Sequence, residues 1–184
     1  MIQVKTPGLT IELIDINHVD LEKYDRVYTD GSEYKFSSCV NIKFISDAMP
    51  INICIAASDG ATGLHEQSYI LEDDRILICC SSSIFCVALP SLNLLWRTKA
   101  DWATCFGLYK QRDVYIIHGE MEISRINQNG KLLWQKGGCD IFTTLEGNSN
   151  DFYITDNYIF ATDWEHNTYT FDFDGNELSF KPAP

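Results

Sequence analysis

The chain has 184 residues and a mass of 21.0 kDa, which is enough for one domain with a sizeable buried core. Apolar residues make up 45% of the chain and charged residues 22%, so the composition excludes disorder, collagen and coiled coils. The formal net charge is −12, from 14 Lys and Arg against 26 Asp and Glu, and so acidic a surface repels the phosphates of nucleic acids. We therefore expect no nucleic-acid partner.

The N-terminal residues and the cysteines predict the compartment. The first twenty residues lack the apolar core of a signal peptide, and the apolar stretches are far shorter than the roughly 20 residues that span a bilayer. Five of the seven cysteines lie among strand-like residues, whereas Cys105 and Cys139 lie in predicted connections. The sequence contains no CxxC pair, so neither a disulfide framework nor a zinc ribbon is indicated. We expect a cytoplasmic protein with buried free thiols and no membrane contact.

Residues 1–57 form the less regular part of the chain. Four runs are typical of strands: Ile2–Val4, Leu9–Ile16, Tyr34–Phe44 and Ile51–Ala57. Asn17–Asp25 is predicted as a short helix with Asn17 as its cap. This region is expected to form a degenerate first blade or a cap. The polar stretch Ser58–Gln67, with two glycines, follows as the one long loop and is a candidate functional loop.

Two later segments repeat one another. Val114–Gly130 and Ile159–Gly175 align without a gap, and each contains a strand-like run, a polar turn, a second strand-like run and a terminal Asn-Gly or Asp-Gly. Asn129-Gly130 and Asp174-Gly175 predict hairpins, because these pairs accept the positive φ that a type I′ turn requires at both central residues.

A third copy precedes these two. It begins at Ile76, and its Trp96 precedes Trp134 by about 40 residues, which is a spacing typical of propeller blades. Both tryptophans end a Leu-Leu-Trp run and are expected to pack one unit against the next. Each unit also starts with a further short strand, so residues 69–180 are predicted as three meanders of about four strands.

Ala88–Trp96 and Arg125–Trp134 contain the most recognisable part of this pattern, a strand, a turn and a Leu-Leu-Trp strand. It resembles the blades of pyrroloquinoline-quinone-type β-propellers over Tyr69–Phe180. The last copy departs from the family, because Glu177–Phe180 carries no tryptophan. The family also needs twice this number of blades to enclose its cofactor. The resemblance therefore implies the blade shape without the dehydrogenase chemistry, and no cofactor is expected.

These patterns predict an all-β chain of repeated antiparallel meanders, with residues 1–184 as a single domain. Four blades of about 45 residues account for the length and would give a small β-propeller-like ring. If residues 1–57 are not a blade, three meanders cannot close. The alternative is an open curved sheet or a sandwich, whose edges are covered by those residues or by a second copy. A homo-oligomer is therefore one of the alternatives.

Catalytic motifs are scarce in the sequence. Neither GxSxG nor a glycine-rich phosphate loop occurs, and the acidic turn at Asp172–Glu177 does not have the spacing of a calcium-binding EF-hand. His65, Glu66, His118 and Glu120 lie at or near turns. They are candidate ligands in the alternative that the chain is a metal-dependent or small-molecule-binding enzyme using the 58–67 loop.

Two tryptophans outside the predicted packing positions indicate a recognition surface. Trp102 and Trp164 lie in polar connections, and Trp164 is flanked by Asp163 and Glu165. Tryptophan is enriched among the residues that dominate protein interfaces, so these four residues are candidates for partner binding. The favoured interpretation is a non-enzymatic cytosolic module that binds another protein. A narrower version is an acidic inhibitor or immunity-type protein directed against a basic nuclease toxin.

Overall fold

The computed structural model contains four β-sheets and no α-helix in the part of the chain that it describes, residues 1–6, 9–16, 20–33, 35–45, 50–145 and 150–183. No helix within these ranges is long and apolar enough to cross a membrane. The prediction of an all-β chain is confirmed.

Sheet 1 is built from the N-terminal residues. It contains β1 (Ile2–Thr6), β2 (Leu9–Asp15), β3 (Arg26–Thr29), β4 (Ser38–Ile45) and β5 (Ile51–Ala57) in the spatial order β1-β2-β4-β5-β3. All neighbouring strands are antiparallel except β3, which runs parallel to β5 along one edge. The irregular N-terminal region thus forms a five-stranded first blade.

The segment between β2 and β4 differs from the prediction. Instead of a helix over Asn17–Asp25, the described part has one 3-10 turn at Leu21–Lys23 and then enters β3. The predicted cap Asn17 lies outside the described residues. Residue alternation explains β3, because Val27 packs on one face of sheet 1 and Tyr28 on the opposite face, so both apolar side chains are partly buried.

Sheets 2 to 4 are the three predicted meanders, each with four consecutive antiparallel strands. Sheet 2 contains β6 (Tyr69–Leu71), β7 (Arg75–Cys80), β8 (Ser83–Ala88) and β9 (Leu94–Lys99). Sheet 3 contains β10 (Cys105–Gln111), β11 (Val114–Gly119), β12 (Glu122–Asn127) and β13 (Leu132–Gly137). Sheet 4 contains β14 (Phe152–Ile154), β15 (Ile159–Thr162), β16 (Thr168–Phe171) and β17 (Glu177–Lys181).

The Asn-Gly and Asp-Gly hairpins occupy equivalent places in sheets 3 and 4, as predicted, but their turn type differs. Within the two dipeptides only the glycines have positive φ, +76° at Gly130 and +82° at Gly175. The predicted type I′ geometry, with positive φ at both central residues, is therefore wrong. The side chain of Asn127 accepts two backbone N–H groups inside the first turn, and that of Asp172 does the same in the second. These side chains support the turn, and one left-handed glycine then closes each loop.

Successive sheets share hydrophobic cores, which stack the sheets in chain order. One core joins sheets 1 and 2, a second joins sheets 2 and 3, and a third joins sheets 3 and 4. A fourth cluster covers the far side of sheet 1, where Tyr24, Val27 and Phe36 pack on Cys39 and Cys54. None of these cores, which involve only described residues, joins sheet 4 back to sheet 1.

The two Leu-Leu-Trp tryptophans pack each sheet onto the next. The Trp96 indole Nε1–H donates to the Gln128 carbonyl at 3.1 Å, and that of Trp134 donates to the Phe173 carbonyl at 3.0 Å. A Cβ atom at Gly130 would lie 2.5 Å from the Trp96 ring, so this turn needs glycine for space as well as for φ. The predicted unit-to-unit packing of both tryptophans is therefore observed.

All seven cysteines are free, and six of them are buried. Cys105 begins β10 inside the core, where the prediction had placed a connection. Burial raises the pKa of the Cys54 thiol to about 12 and acts in the same direction on Cys105. Cys139 is the exposed thiol.

Candidate interaction surface

The loops at one end of the four sheets are joined into a continuous surface. We call residues 58–62, 99–104, 119–122, 138–142 and 163–167 the loop rim. Four backbone hydrogen bonds link its successive segments: Gly60 N–H to Ala103 O (2.9 Å), Glu120 N–H to Thr104 O (2.7 Å), Phe142 N–H to Glu120 O (2.7 Å) and Trp164 N–H to Ile141 O (2.8 Å). The rim therefore has a defined backbone shape, although its segments come from all four sheets.

Asp101 holds two segments of the rim together. It is almost completely buried, and its carboxylate accepts the N–H groups of Ala103 and Thr104 through Oδ1 and those of Met121 and Glu122 through Oδ2. Burial raises the pKa of Asp101, although these four donors act in the opposite direction. In the sequence Asp101 directly precedes Trp102 in a polar connection, and nothing there indicates the second pair of donors.

Trp102 is the most exposed tryptophan of the rim, with 70% of its surface accessible. The Lys99 Nζ atom lies 5.2 Å from the centre of its ring, within the range of a cation–π contact. Lys99 also pairs with Asp59 at 3.0 Å, and Asp59 in turn accepts the Ser82 hydroxyl. These contacts orient Lys99 beside the ring while the indole stays open to solvent.

Trp164 and Glu165 lie exposed on the turn between β15 and β16, with 41% of the Trp164 surface accessible. Asp163 is fully buried beneath them, where its carboxylate accepts from Asn167 N–H (2.9 Å), Asn167 Nδ2 (2.9 Å) and the Tyr169 hydroxyl (2.7 Å). Burial opposes ionisation of Asp163, but these hydrogen bonds outweigh it and lower the pKa. Asp163 thus supports the turn from inside, and the two neighbouring candidates face solvent.

Met121 adds a third large apolar side chain to the rim, with 41% of its surface accessible. It lies in the turn between β11 and β12, and its backbone is held by Asp101. Sequence reasoning missed Met121, although its place after the polar turn pair Gly119-Glu120 was visible.

The four candidate metal ligands lie in different surroundings. His65 precedes the 3-10 turn Glu66–Ser68, where its Nδ1 accepts the Gln67 N–H. His118 is half-buried, with its ring stacked on Phe152 at 4.2 Å between centroids and its Nε2 atom 2.7 Å from the Phe142 carbonyl oxygen. Desolvation by this packing lowers the pKa of His118 to about 4. Across the described ranges, no three His, Cys, Asp or Glu residues are grouped to hold a metal ion.

A groove runs along the first strands of sheets 2 to 4. It has a volume of about 640 Å³ and is lined by residues that include Glu66, Tyr69, Tyr109, Lys110 and Asp156. Lys110 is already paired with Glu72 at 2.6 Å. Of the four candidate ligands, only Glu66 lines this groove.

Comparison with known proteins identifies the fold. No protein-family model matches the chain, and no curated protein matches it in sequence. BamB from Moraxella catarrhalis has a TM-score of 0.53 and 10% identity over 98% of this chain and 63% of its own. The computationally designed Ika8 protein has a TM-score of 0.54 and 8% identity over 97% of this chain and 60% of its own. The β-propeller domain of Cps50 (Swd1) from Myceliophteria thermophila has a TM-score of 0.50 and 8% identity, over 80% and 57%.

These similarities show the fold alone, because the identities are low. The four sheets resemble propeller blades, and BamB is a propeller of the pyrroloquinoline-quinone type, so the predicted likeness to such blades is confirmed for the shape. The chain spans between 57% and 63% of the length of these three structures.

Proposed function

We propose that this protein is a non-enzymatic interaction module that binds another protein through the loop rim. The observation that carries the proposal is the pairing of exposed tryptophans with a rigid support. Trp102 and Trp164 are 70% and 41% exposed, yet the backbone beneath them is fixed by hydrogen bonds between successive rim segments and by the buried carboxylates of Asp101 and Asp163. Binding then costs little ordering of the surface, and tryptophan supplies much of the interface energy.

The charge of the chain favours a basic partner. A net charge of −12 attracts positively charged proteins over long distances and accelerates their association. The exposed Glu165 beside Trp164 adds a carboxylate within the rim itself. An inhibitor or immunity-type role against a basic nuclease is the specific form that this chemistry supports, and the propeller fold commonly serves as a protein-interaction scaffold.

Affinity capture from the native host, quantified by mass spectrometry, tests this function. Trp102→Ala and Trp164→Ala should each lower the recovery of a basic partner at least tenfold while the melting temperature stays within about 2 °C of wild type. Leu133→Ala is the matched control, because Leu133 is also exposed (44%) but lies on β13, outside the rim. Recovery that falls equally with Leu133→Ala would refute a rim-specific contact.

The same purified proteins separate this function from the enzymatic alternative. Elemental analysis of wild type should show no stoichiometric metal. Metal that is present in wild type and lost in both His65→Ala and His118→Ala would replace the interaction module by a metal-dependent protein, since a small ligand set rarely tolerates the loss of one member.

A further inference from the structure

The outer face of sheet 4 is uncovered, in contrast to the equivalent faces of sheets 2 and 3. In each of these sheets, four residues that pair from strand to strand form a row across the sheet, and the three rows occupy equivalent places. In sheet 2 the row is Ile70, Leu77, Cys86 and Trp96, and in sheet 3 it is Tyr109, Ile116, Arg125 and Trp134. Both rows face the following sheet, and most of their members belong to its shared core. In sheet 4 the row is Tyr153, Phe160, Thr170 and Ser179, and no core cluster of the described residues covers it.

The sheet 4 row also lacks the side chains that attach one sheet to the next. In sheet 3, Arg125 and Trp134 both donate to the Phe173 carbonyl of sheet 4. The equivalent residues of sheet 4 are Thr170 and Ser179, which are too short to reach a neighbouring turn in this way. At the other end of the array, the far side of sheet 1 is already packed by the cluster around Tyr24. A second copy stacked end to end, with its sheet 1 on sheet 4, therefore does not fit this face.

The same row is complementary to itself. Tyr153 and Phe160 stack at 4.6 Å between centroids and form a large aromatic half, whereas Thr170 and Ser179 form a small half. Consider a two-fold axis that lies between the two copies, runs parallel to the strands and passes over the gap between β15 and β16. It reverses the order of the row in the second copy. It places Phe160 over Thr170 of a second copy and Tyr153 over Ser179, so that a large side chain meets a small one at every contact.

Charge supports this arrangement as well. Two copies of a chain with net charge −12 repel each other, so a self-contact needs a face without like charges, and the row from Tyr153 to Ser179 carries none. In the adjacent row Thr168 pairs with Lys181 on the edge strand β17. The axis that reverses the aromatic row places β17 of one copy over β14 of the other, so the two Lys181 residues lie at opposite edges of the contact and do not repel each other.

We propose that the outer face of sheet 4 is the contact surface of a two-fold homodimer of this chain, with sheet 4 packed face to face on sheet 4 of the second copy. The contact is formed by one face of a four-stranded sheet and lies at the small end of protein interfaces, so the dimer dissociates on dilution. It leaves both loop rims open, and it presents two of them in one particle.

Sedimentation equilibrium over a micromolar to sub-millimolar concentration range tests the proposal. Wild type should approach about 42 kDa, twice the chain mass of 21.0 kDa, whereas Phe160→Glu should stay at 21.0 kDa. Leu133→Glu introduces the same charge at an exposed apolar residue of sheet 3 and should still dimerise. A monomeric wild type throughout, growth into long polymers, or a dimer that Phe160→Glu leaves intact would each overturn the proposal.

A size exchange within the row tests the two-fold arrangement itself and does not introduce charge. Phe160→Thr should weaken the dimer by leaving a gap over Thr170, and Thr170→Phe should weaken it by placing two rings at the same point. The double variant restores a large residue over a small one and should dimerise within about threefold of wild type, with circular dichroism confirming that all variants fold. If the losses of dimer affinity in the two single variants add up in the double variant, residues 160 and 170 do not meet across the interface and the two-fold arrangement is wrong.

Discussion

His118 should make the stability of the protein depend on pH between about 6.5 and 4. In the folded chain, stacking on Phe152 and contact with the Phe142 carbonyl keep the imidazole desolvated and lower its pKa to about 4, against an ordinary value of 6.5. As the pH falls through 6.5, His118 is protonated in the unfolded chain but stays neutral in the folded chain. The free energy of unfolding therefore decreases down to about pH 4 and is not affected further by this group below that value.

The size of the effect follows from the shift of 2.5 pH units (6.5 − 4) at about 1.4 kcal/mol each, which gives about 3–4 kcal/mol as an upper value. Because the side chain is only half-buried, we expect about 1–3 kcal/mol. Urea unfolding of wild type and His118→Gln at pH 7 and pH 4.5 isolates the contribution, since glutamine keeps a donor for the Phe142 carbonyl but does not titrate. The difference between the two proteins should shrink as the pH falls. Equal pH dependence in both would refute the desolvated environment of His118.

Two further predictions concern the packing of the sheets and of the rim. Trp134→Ala should lower the free energy of unfolding by about 3–5 kcal/mol, because it removes a ring packed on the Gly175 turn and the donor to the Phe173 carbonyl, and an unchanged urea midpoint would contradict that packing. Asp101→Asn should cost about 1–3 kcal/mol, because the amide NH2 group faces backbone N–H donors that then lose their acceptor. Exposed Asp113→Asn is the matched control and should change the urea midpoint little.

The repeated sheets could be predicted because their signals are local. The Asn-Gly and Asp-Gly pairs, the alternation within each strand and the spacing of Trp96 and Trp134 all act within about one repeat of the chain, and each was found where expected. The turn type was missed because the side chains of Asn127 and Asp172 support the loops from outside the dipeptides. A short side chain that accepts nearby N–H groups removes the need for two left-handed residues.

The parts that the sequence did not predict depend on contacts between distant segments. Strand β3 is short and joins β5 in parallel, which no local pattern indicates, and its stabilisation is tertiary: Arg26 donates to the Ser91 carbonyl of sheet 2 and Tyr28 to that of Leu92. The burial of Asp163 depends instead on nearby residues: its carboxylate accepts from Asn167 at the end of the same turn and from Tyr169 on β16, which its immediate neighbours Trp164 and Glu165 do not indicate. Polar residues in turns are predicted as exposed unless their partners are known.

The attachment of one sheet to the next uses one geometry with different residues. A side chain on the last spatial strand of each sheet donates to a backbone carbonyl in a turn of the following sheet, from Arg26 and Tyr28 in sheet 1, from Trp96 in sheet 2 and from Trp134 in sheet 3. Because these attachments lie in the turns between the last two strands, the loop rim at the opposite end is not needed for them. The rim can therefore present Trp102 and Trp164 to solvent without weakening the array, and Asp101 and Asp163 fix the loops that carry them. The side-chain attachments between sheets and the two exposed tryptophans therefore lie at opposite ends of the same four sheets.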